Sequence, residues 1–589
     1  MSRVEPNRNV YIRHRYVPLL VGEWDKSIQY EGLSIVTFKG ASYTSKKMTP
    51  AGIDIENEEY WVITGNYDAQ VEYYRQEVKR VSDDLAQAKI DLNQRIDDTV
   101  EYVDTNVENL TIYVNDEVRK NKEYVDSEVS SARQYVDDKF DPNLRTMTIK
   151  VPDDYNTLQD AIDYASRQMN GINVEIIVAK DFKPSRGIYI ENMDLSHITL
   201  SAEDDATIEV DDDFTGNFLQ VYRSKGPFFN MLVDMKGLGD YGMRILITST
   251  QSVASRKGII NCGGYACYVR TSRLTAPFCN FSGSYDRALW VTRGSNVSVA
   301  AGDFSGVRGG EVAVYVSRSS MADMSDCDIS NANVNQTAIQ SLRSHVTLMG
   351  ANVSNSSAGG ILASQNGFIM CRGADISNAG RYGVRANNGG SVDLSSKTNV
   401  SNAGENAIEV LAGAKVTGRE IQATDSGNDG LYVEEGGRAR VPDSYFSRAK
   451  RHGIFALYGA TVSAHHSRAH DVGETAYYAV GASTIDARSV LANRPGSEAV
   501  FADSASTINT NGSTFTDAGG IGIRCRDGST VTARGTSVTG SNSNDLSVFY
   551  GGVISANGTT TTNGDGQPSL DDCNIESFNS VSSQGIIYK

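Results

Sequence analysis

Three apolar positions return along this chain with a nearly constant step. The first runs Ile361, Val384, Ile408, Leu431, Ile454, Tyr477, Val500, Ile523 and Leu546, with every step 23 residues except one of 24. The second runs Val346, Ile369, Val392, Val416, Ala439, Val462, Ile485, Ile508, Val531 and Ile554. The third runs Val353, Ile376, Val400, Ala423, Phe446, Ala469, Ala492, Phe515 and Val538. Looser copies of the first reach back through Ile339, Val314, Leu289, Cys267 and Met243. Between these positions most residues drift. A repeat unit that cannot bury its own apolar face must stack on its neighbours, so inward positions and corners stay matched while outward ones vary.

Three short β-rich patches per period, each closed by Gly, Asn, Asp or Ser, predict one coil of a right-handed parallel β-helix. The fold class is therefore all-β dominated, with the solenoid over 141–560 and a C-terminal segment over 561–589. Within a coil the alternation has period two: Val500 and Ala502 point inward, Phe501 and Asp503 outward. Asn331, Asn355, Asn378 and Asn402, continued by Asp425, predict a ladder of stacked corner side chains. Before the repeats, "VPDDYNTLQDAIDYASRQ" predicts a capping helix with Leu158, Ala161, Ile162 and Ala165 on one face and Asn156 or Thr157 as N-cap. This stretch, with "INVEIIVAKD" after it, resembles the opening of pectate-lyase-like β-helices.

Residues 71–140 hold no Gly and no Pro. Their seam runs Val78, Val81, Leu85, Ala88, Leu92, then Ile96, Val100, Val103, Val107, Leu110, Val114, then Val118, Val125, Val129, Ala132, Val136, Phe140. The four-residue breaks are stutters in an α-helical coiled coil. As a helix this stalk is about 100 Å long. Such a seam calls for partner chains. By analogy with fibres in which a coiled coil feeds a β-helix, a homotrimer is expected. Residues 1–70 form a small aromatic-rich β module. It resembles carbohydrate-binding modules of chitinases and N-terminal segments of phage fibres. Trp24, Tyr30 and Trp61 either stack on sugar or form the module's own core.

The chain has 589 residues, a net charge of -17 and a pI near 5.0. That acidity argues against nucleic acid, whose binding rests on Lys and Arg at phosphates. No apolar run reaches the length of a membrane span, and the first residues lack a signal-peptide core. Synthesis in a cytoplasm without membrane insertion is expected. Seven Cys lie at 262, 267, 279, 327, 371, 525 and 573 with no CxxC spacing, which predicts reduced core thiols and no zinc site. No cofactor or metal is expected.

In its order of small module, stalk and solenoid the chain resembles bacteriophage tailspike and appendage proteins. The resemblance implies a virion component made in the host cytoplasm, attached to other virion proteins through its N-terminal module. It further implies binding of a bacterial surface polysaccharide or teichoic acid, with or without cleavage. A non-enzymatic adhesive fibre and a free polysaccharide-degrading enzyme are the competing readings.

The outward position beside the first inward one reads Tyr268, Trp290, Tyr315, Gln340, Leu362, Arg385, Glu409, Tyr432, Phe455, Tyr478, Phe501, Arg524. Two aromatic stripes result. Each suits glycan binding, a subunit interface or ladder stability. Glu409, Glu434 and Asp503 flank the longer stripe and are the candidate catalytic carboxylates. Glu409 and Glu434 stand about 8 Å apart by strand and coil spacing, within the range of an inverting pair. Arg385 and Arg524 bracket the stripe and suit an anionic sugar or phosphate. His465, His466 and His470 lack a carboxylate ligand set, so solvated histidines are expected. "RHGIF" at Arg451–Phe455 echoes one element of polygalacturonases, but their paired-Asp elements are absent.

Overall fold

The computed structural model describes residues 18–66, 146–168, 172–562 and 586–588, with Asp116, Glu117, Arg119, Lys120, Lys122 and Ser127 as isolated helical positions. The remainder of the 71–140 stalk, and with it the predicted seam, lies outside the described residues. So does most of 561–589, Cys573 included. Contacts divide the chain into two units, Met1–Asp141 and Pro142–Lys589.

In the first unit Leu19–Glu23, Ser34–Phe38, Ala41–Ser45 and Trp61–Asn66 form a four-stranded sheet in sequence order. The first pair is parallel and the other two antiparallel. Tyr30, Val36, Ile55 and Trp61 are its core. Tyr30 and Trp61 meet edge to face at 5.2 Å, and Trp24 packs on Phe38 at 5.0 Å. Of the two readings of these aromatics, Tyr30 and Trp61 take the core one. A module this small has little else with which to exclude water.

The second unit is a parallel β-solenoid. Its first face is a 16-stranded sheet from Ile188–Glu191 to Leu546–Val548. All nine first-series positions pair coil on coil in one register, and all are fully buried. The second series pairs likewise on a second face. That face begins with Thr146–Val151 and Asn173–Val178 and receives Ile586–Tyr588 against Val553–Ser555. The third face is thinner. Between the triplets Gly258–Ile260 and Leu491–Asn493 its coils are joined by single bridges, from Gly258 with Asn280 to Arg468 with Leu491.

The capping helix spans Leu158–Ala165 and buries the four predicted residues. Thr157 is its N-cap and accepts from the Asp160 N–H. Inside, serines sit where the chain turns between the first two faces. The N–H of Ser224, Ser249, Ser272, Ser295 and Ser320 each donates to the serine hydroxyl of the next coil at 3.1–3.3 Å. Buried backbone donors are thereby satisfied without secondary structure.

The asparagine corner is a left-handed column. Asn331, Asn355, Asn378, Asn402 and Asp425 have φ between 57° and 60°. Asn355 and Asn378 each donate an amide N–H to the asparagine one coil before, at 3.3 and 3.1 Å. Beyond Asp425 the column changes from amides to ions: Arg448 pairs with Asp425 at 2.6 Å and Arg494 with Asp471 at 2.8 Å. The six described cysteines are buried free thiols. Burial pushes Cys262 up to about 11 and raises Cys371 well above the ordinary thiol value.

Candidate functional site

The longer stripe stands on the first face in the expected register, with Glu409 beside Tyr432, Tyr432 beside Phe455, and Tyr478 beside Phe501. Its rings mostly occupy each other. Phe455 and Tyr478 stack at 4.9 Å and 10°, Tyr478 and Phe501 at 4.7 Å and 3°. Parallel strands set one coil apart hold the rings in offset stacking. Phe501 lies on the outer row yet is only 8% exposed. Arg524 and Arg526 sit over its ring at 4.9 and 5.1 Å. Outward therefore does not mean wet here: lateral stacking covers the row. Tyr432 alone turns away, at 68° to Phe455.

The candidate carboxylates differ in surroundings. Glu409 is buried, ion-paired with Arg385, and accepts from Asn406 at 2.9 Å. Asp503 is buried and held by Arg526 at 2.7 Å. Burial works against its charged form, but the Arg526 contact outweighs this and its carboxyl titrates below the usual range. Glu434 is half-buried and accepts from the Tyr432 hydroxyl at 2.7 Å. Burial first, then that hydrogen bond, pushes the Tyr432 phenol up. The two bracketing arginines are already neutralised. Arg385 pairs with Glu409 and lies 3.8 Å over Tyr382; Arg524 reaches Glu498 at 3.0 Å.

Sequence reasoning missed a polar column two residues before the inward position: Asn406, Asp429, His452, Thr475 and Glu498. Asn406 accepts from the Asp429 N–H at 2.9 Å. Asp429 accepts from the His452 N–H at 3.0 Å, and His452 Nδ1 from the Thr475 N–H at 3.2 Å. Glu498 accepts from the Thr475 hydroxyl at 3.1 Å. Because Nδ1 accepts, the neutral ring carries its proton on Nε2, which faces Glu474 at 3.4 Å. Burial pushes Asp429 up to about 6 and His452 down to about 4. His452 also packs edgewise on Phe455 and Tyr478 at 4.9 and 5.3 Å. The signal was present: these five polar residues keep the same step of 23.

The shorter stripe is wider than expected. Tyr241 and Tyr265 stack beside it at 5.0 Å, and Arg287 lies 5.0 Å over Trp290. Its rings are tilted: Tyr268 and Trp290 by 53°, Trp290 and Tyr315 by 40°. Tyr268 is only 8% exposed, while Trp290 and Tyr315 stay half-buried with Arg287 over both. A groove of about 300 Å³ opens beside them, lined also by Thr292, Arg293, Ser317 and Arg318.

Of the histidines, His465 and His466 line a groove on the second face. His470 is half-buried, and burial holds its pKa down. Among the described residues no cluster of three or more His, Cys, Asp or Glu is arranged for a metal ion, and no helix is long and apolar enough to cross a membrane.

Residues 360–511 match the family described as right handed beta helix region. Among solved structures the chain is similar to the siphovirus 9NA tailspike receptor binding domain, at 9% identity and a TM-score of 0.21, covering 75% of this chain and 76% of that one. It is also similar to the A-module of the mannuronan C-5 epimerase AlgE6 of Azotobacter vinelandii, at 13% identity and a TM-score of 0.18, covering 69% and 94%. Among curated proteins none matches.

Proposed function

We propose that the solenoid binds an extended bacterial surface polysaccharide or teichoic acid along its first face, as the receptor-binding part of a trimeric bacteriophage tailspike or appendage. The observation that supports this reading is the open groove at Tyr268, Trp290 and Tyr315. The half-buried rings of Trp290 and Tyr315 stand beside hydroxyls and two arginines. That is the pairing a sugar needs, apolar C–H faces on aromatics and hydroxyls on polar groups. Tyr432, Phe455, Tyr478 and Phe501 extend the same face, with the turned ring of Tyr432 as their sugar contact.

Chain cleavage is assigned to Glu434, the most accessible of the three carboxylates, since Glu409 is ion-paired with Arg385 and Asp503 is held ionised by Arg526. The trimer and the virion attachment rest on the heptad seam of 71–140 and on the small module before it.

The test uses purified full-length protein with capsule or wall teichoic acid from candidate hosts. Trp290→Ala is expected to weaken binding at least tenfold, about 1.4 kcal/mol, in a variant that still folds but melts lower for want of its contacts with Tyr265, Tyr268 and Tyr315. Unchanged binding overturns the reading. Chain shortening by the parent and its loss in Glu434→Gln support the catalytic assignment. Binding without any shortening marks a non-enzymatic fibre.

A further inference from the structure

The second face carries an unbalanced charge that the glycan reading does not use. The groove holding His465 and His466 has a volume of about 540 Å³ and is lined also by Asp393, Arg419, Arg440 and Asp443. Both carboxylates are already engaged. Asp393 pairs with Arg372 at 2.8 Å and Asp443 with Arg419 at 2.8 Å. Asp486, farther along the row of Arg440, is held by Arg488 at 2.7 Å. What remains is positive. Lys415, Arg438 and Arg440 are exposed, and none makes an ion pair among the described residues.

Their placement follows from the register. Lys415 lies directly beside Arg438 on the next coil, and Thr417 beside Arg440. Two like charges at about 4.8 Å on adjacent strands oppose pairing of those strands. With Arg440 about 6.8 Å along the same side of the strand, three cations share a patch about 8 Å across, about one Debye length at physiological salt. In a chain with a net charge of -17, such a patch does not follow from composition. An anion relieves the repulsion, and planar guanidiniums offer paired donors to a carboxylate or phosphate oxygen pair.

We propose that Lys415, Arg438 and Arg440 bind the anionic groups of a charged polysaccharide, either uronate carboxylates or backbone phosphodiesters, with the His465–His466 groove taking the adjoining sugar. This deepens the glycan reading, on which it rests, by giving the polymer a charge and a second face to contact.

The experiment measures binding of full-length protein to polygalacturonate, poly(glycerol phosphate) and neutral dextran at low and high salt. The parent is expected to bind one of the two anionic polymers, and whichever it binds identifies the anionic group. Arg438→Gln with Arg440→Gln is expected to weaken that binding at least tenfold, and Lys415→Gln to weaken it severalfold. The difference between parent and variant should shrink at high salt. All three side chains are exposed and unpaired, so melting temperatures should equal the parent's or rise slightly as the Lys415–Arg438 repulsion is removed. Equal affinities in parent and double variant, or no anionic binding by the parent at low salt, overturn the proposal. Failure of the first-face reading shows separately, as host-glycan binding undiminished by Trp290→Ala.

Discussion

Asp429 accepts the backbone N–H of His452 across one coil at 3.0 Å, while its second oxygen is buried with no hydrogen-bond partner among the described residues. Between about pH 4 and 6 burial keeps both side chains neutral, one by holding its proton and the other by refusing one. Asp429 is pushed from 3.8 up to about 6, so the folded state loses stability relative to the unfolded as pH rises through that window. His452 is pushed from 6.5 down to about 4, so the folded state gains stability as pH rises through nearly the same window. Each shift is worth about 3 kcal/mol, and the two nearly cancel. The parent's melting temperature should therefore owe little pH dependence to this pair between about pH 4 and 6.5. His452→Gln should unmask Asp429 and lose stability as pH rises. Asp429→Asn should do the opposite. Calorimetry at steps of half a pH unit checks it, and parallel profiles in both variants would refute it.

Ile454 is fully buried in the first-face series. Ile454→Asp places an unpaired charge there and should cost about 4 kcal/mol or prevent folding. Ile454→Val should cost about 1 kcal/mol. A shift in melting temperature ordered this way tests the inward register.

Asn378 has φ 57° in the corner column, where Gly306 and Gly540 hold the equivalent turn at 66° and 71°. Asn378→Gly should cost only the ladder hydrogen bond, about 0.5–1.5 kcal/mol, since glycine adopts this conformation freely. Asn378→Val should cost about 1–2 kcal/mol for the left-handed β-branched residue, besides its ladder hydrogen bond. Urea unfolding midpoints separate the two.

Tyr478 is the middle ring of the stack and touches Phe455, Phe501 and His452. Tyr478→Ala removes both stacked pairs and should cost about 1–3 kcal/mol from these contacts alone. Trp290→Ala also loses ring contacts, with Tyr265, Tyr268 and Tyr315, but should cost glycan affinity where Tyr478→Ala does not. Affinity lost in Tyr478→Ala and kept in Trp290→Ala would move the binding surface to the longer stripe.

The seam over 71–140 predicts assembly. Light scattering of the full chain should give three times the chain mass, and removal of 71–140 should lower it. A full chain that scatters as a monomer removes the trimer from the proposal.

The solenoid was legible because its interior is periodic. A buried position such as Ile454 sees the same neighbours one coil on at Tyr477 and one coil back at Leu431, so a single physical demand recurs every 23 or 24 residues and survives drift elsewhere. The asparagine corner and the capping helix were legible for related reasons, a left-handed turn in one and a 3-4 apolar spacing in the other. The same period also held Asn406, Asp429, His452, Thr475 and Glu498, but a polar column reads as surface until its burial is known. Tertiary structure decided which outward residues stay wet. Phe501 and Asp503 stand on the outer side of their strand, yet guanidiniums reaching across one coil cover them, whereas the tilt of Trp290 against Tyr315 leaves a groove. Ring tilt and ion pairing are set by side chains meeting between coils, so the amino-acid order determined the coil and its inner face, and the packing between coils determined the surface available to a ligand.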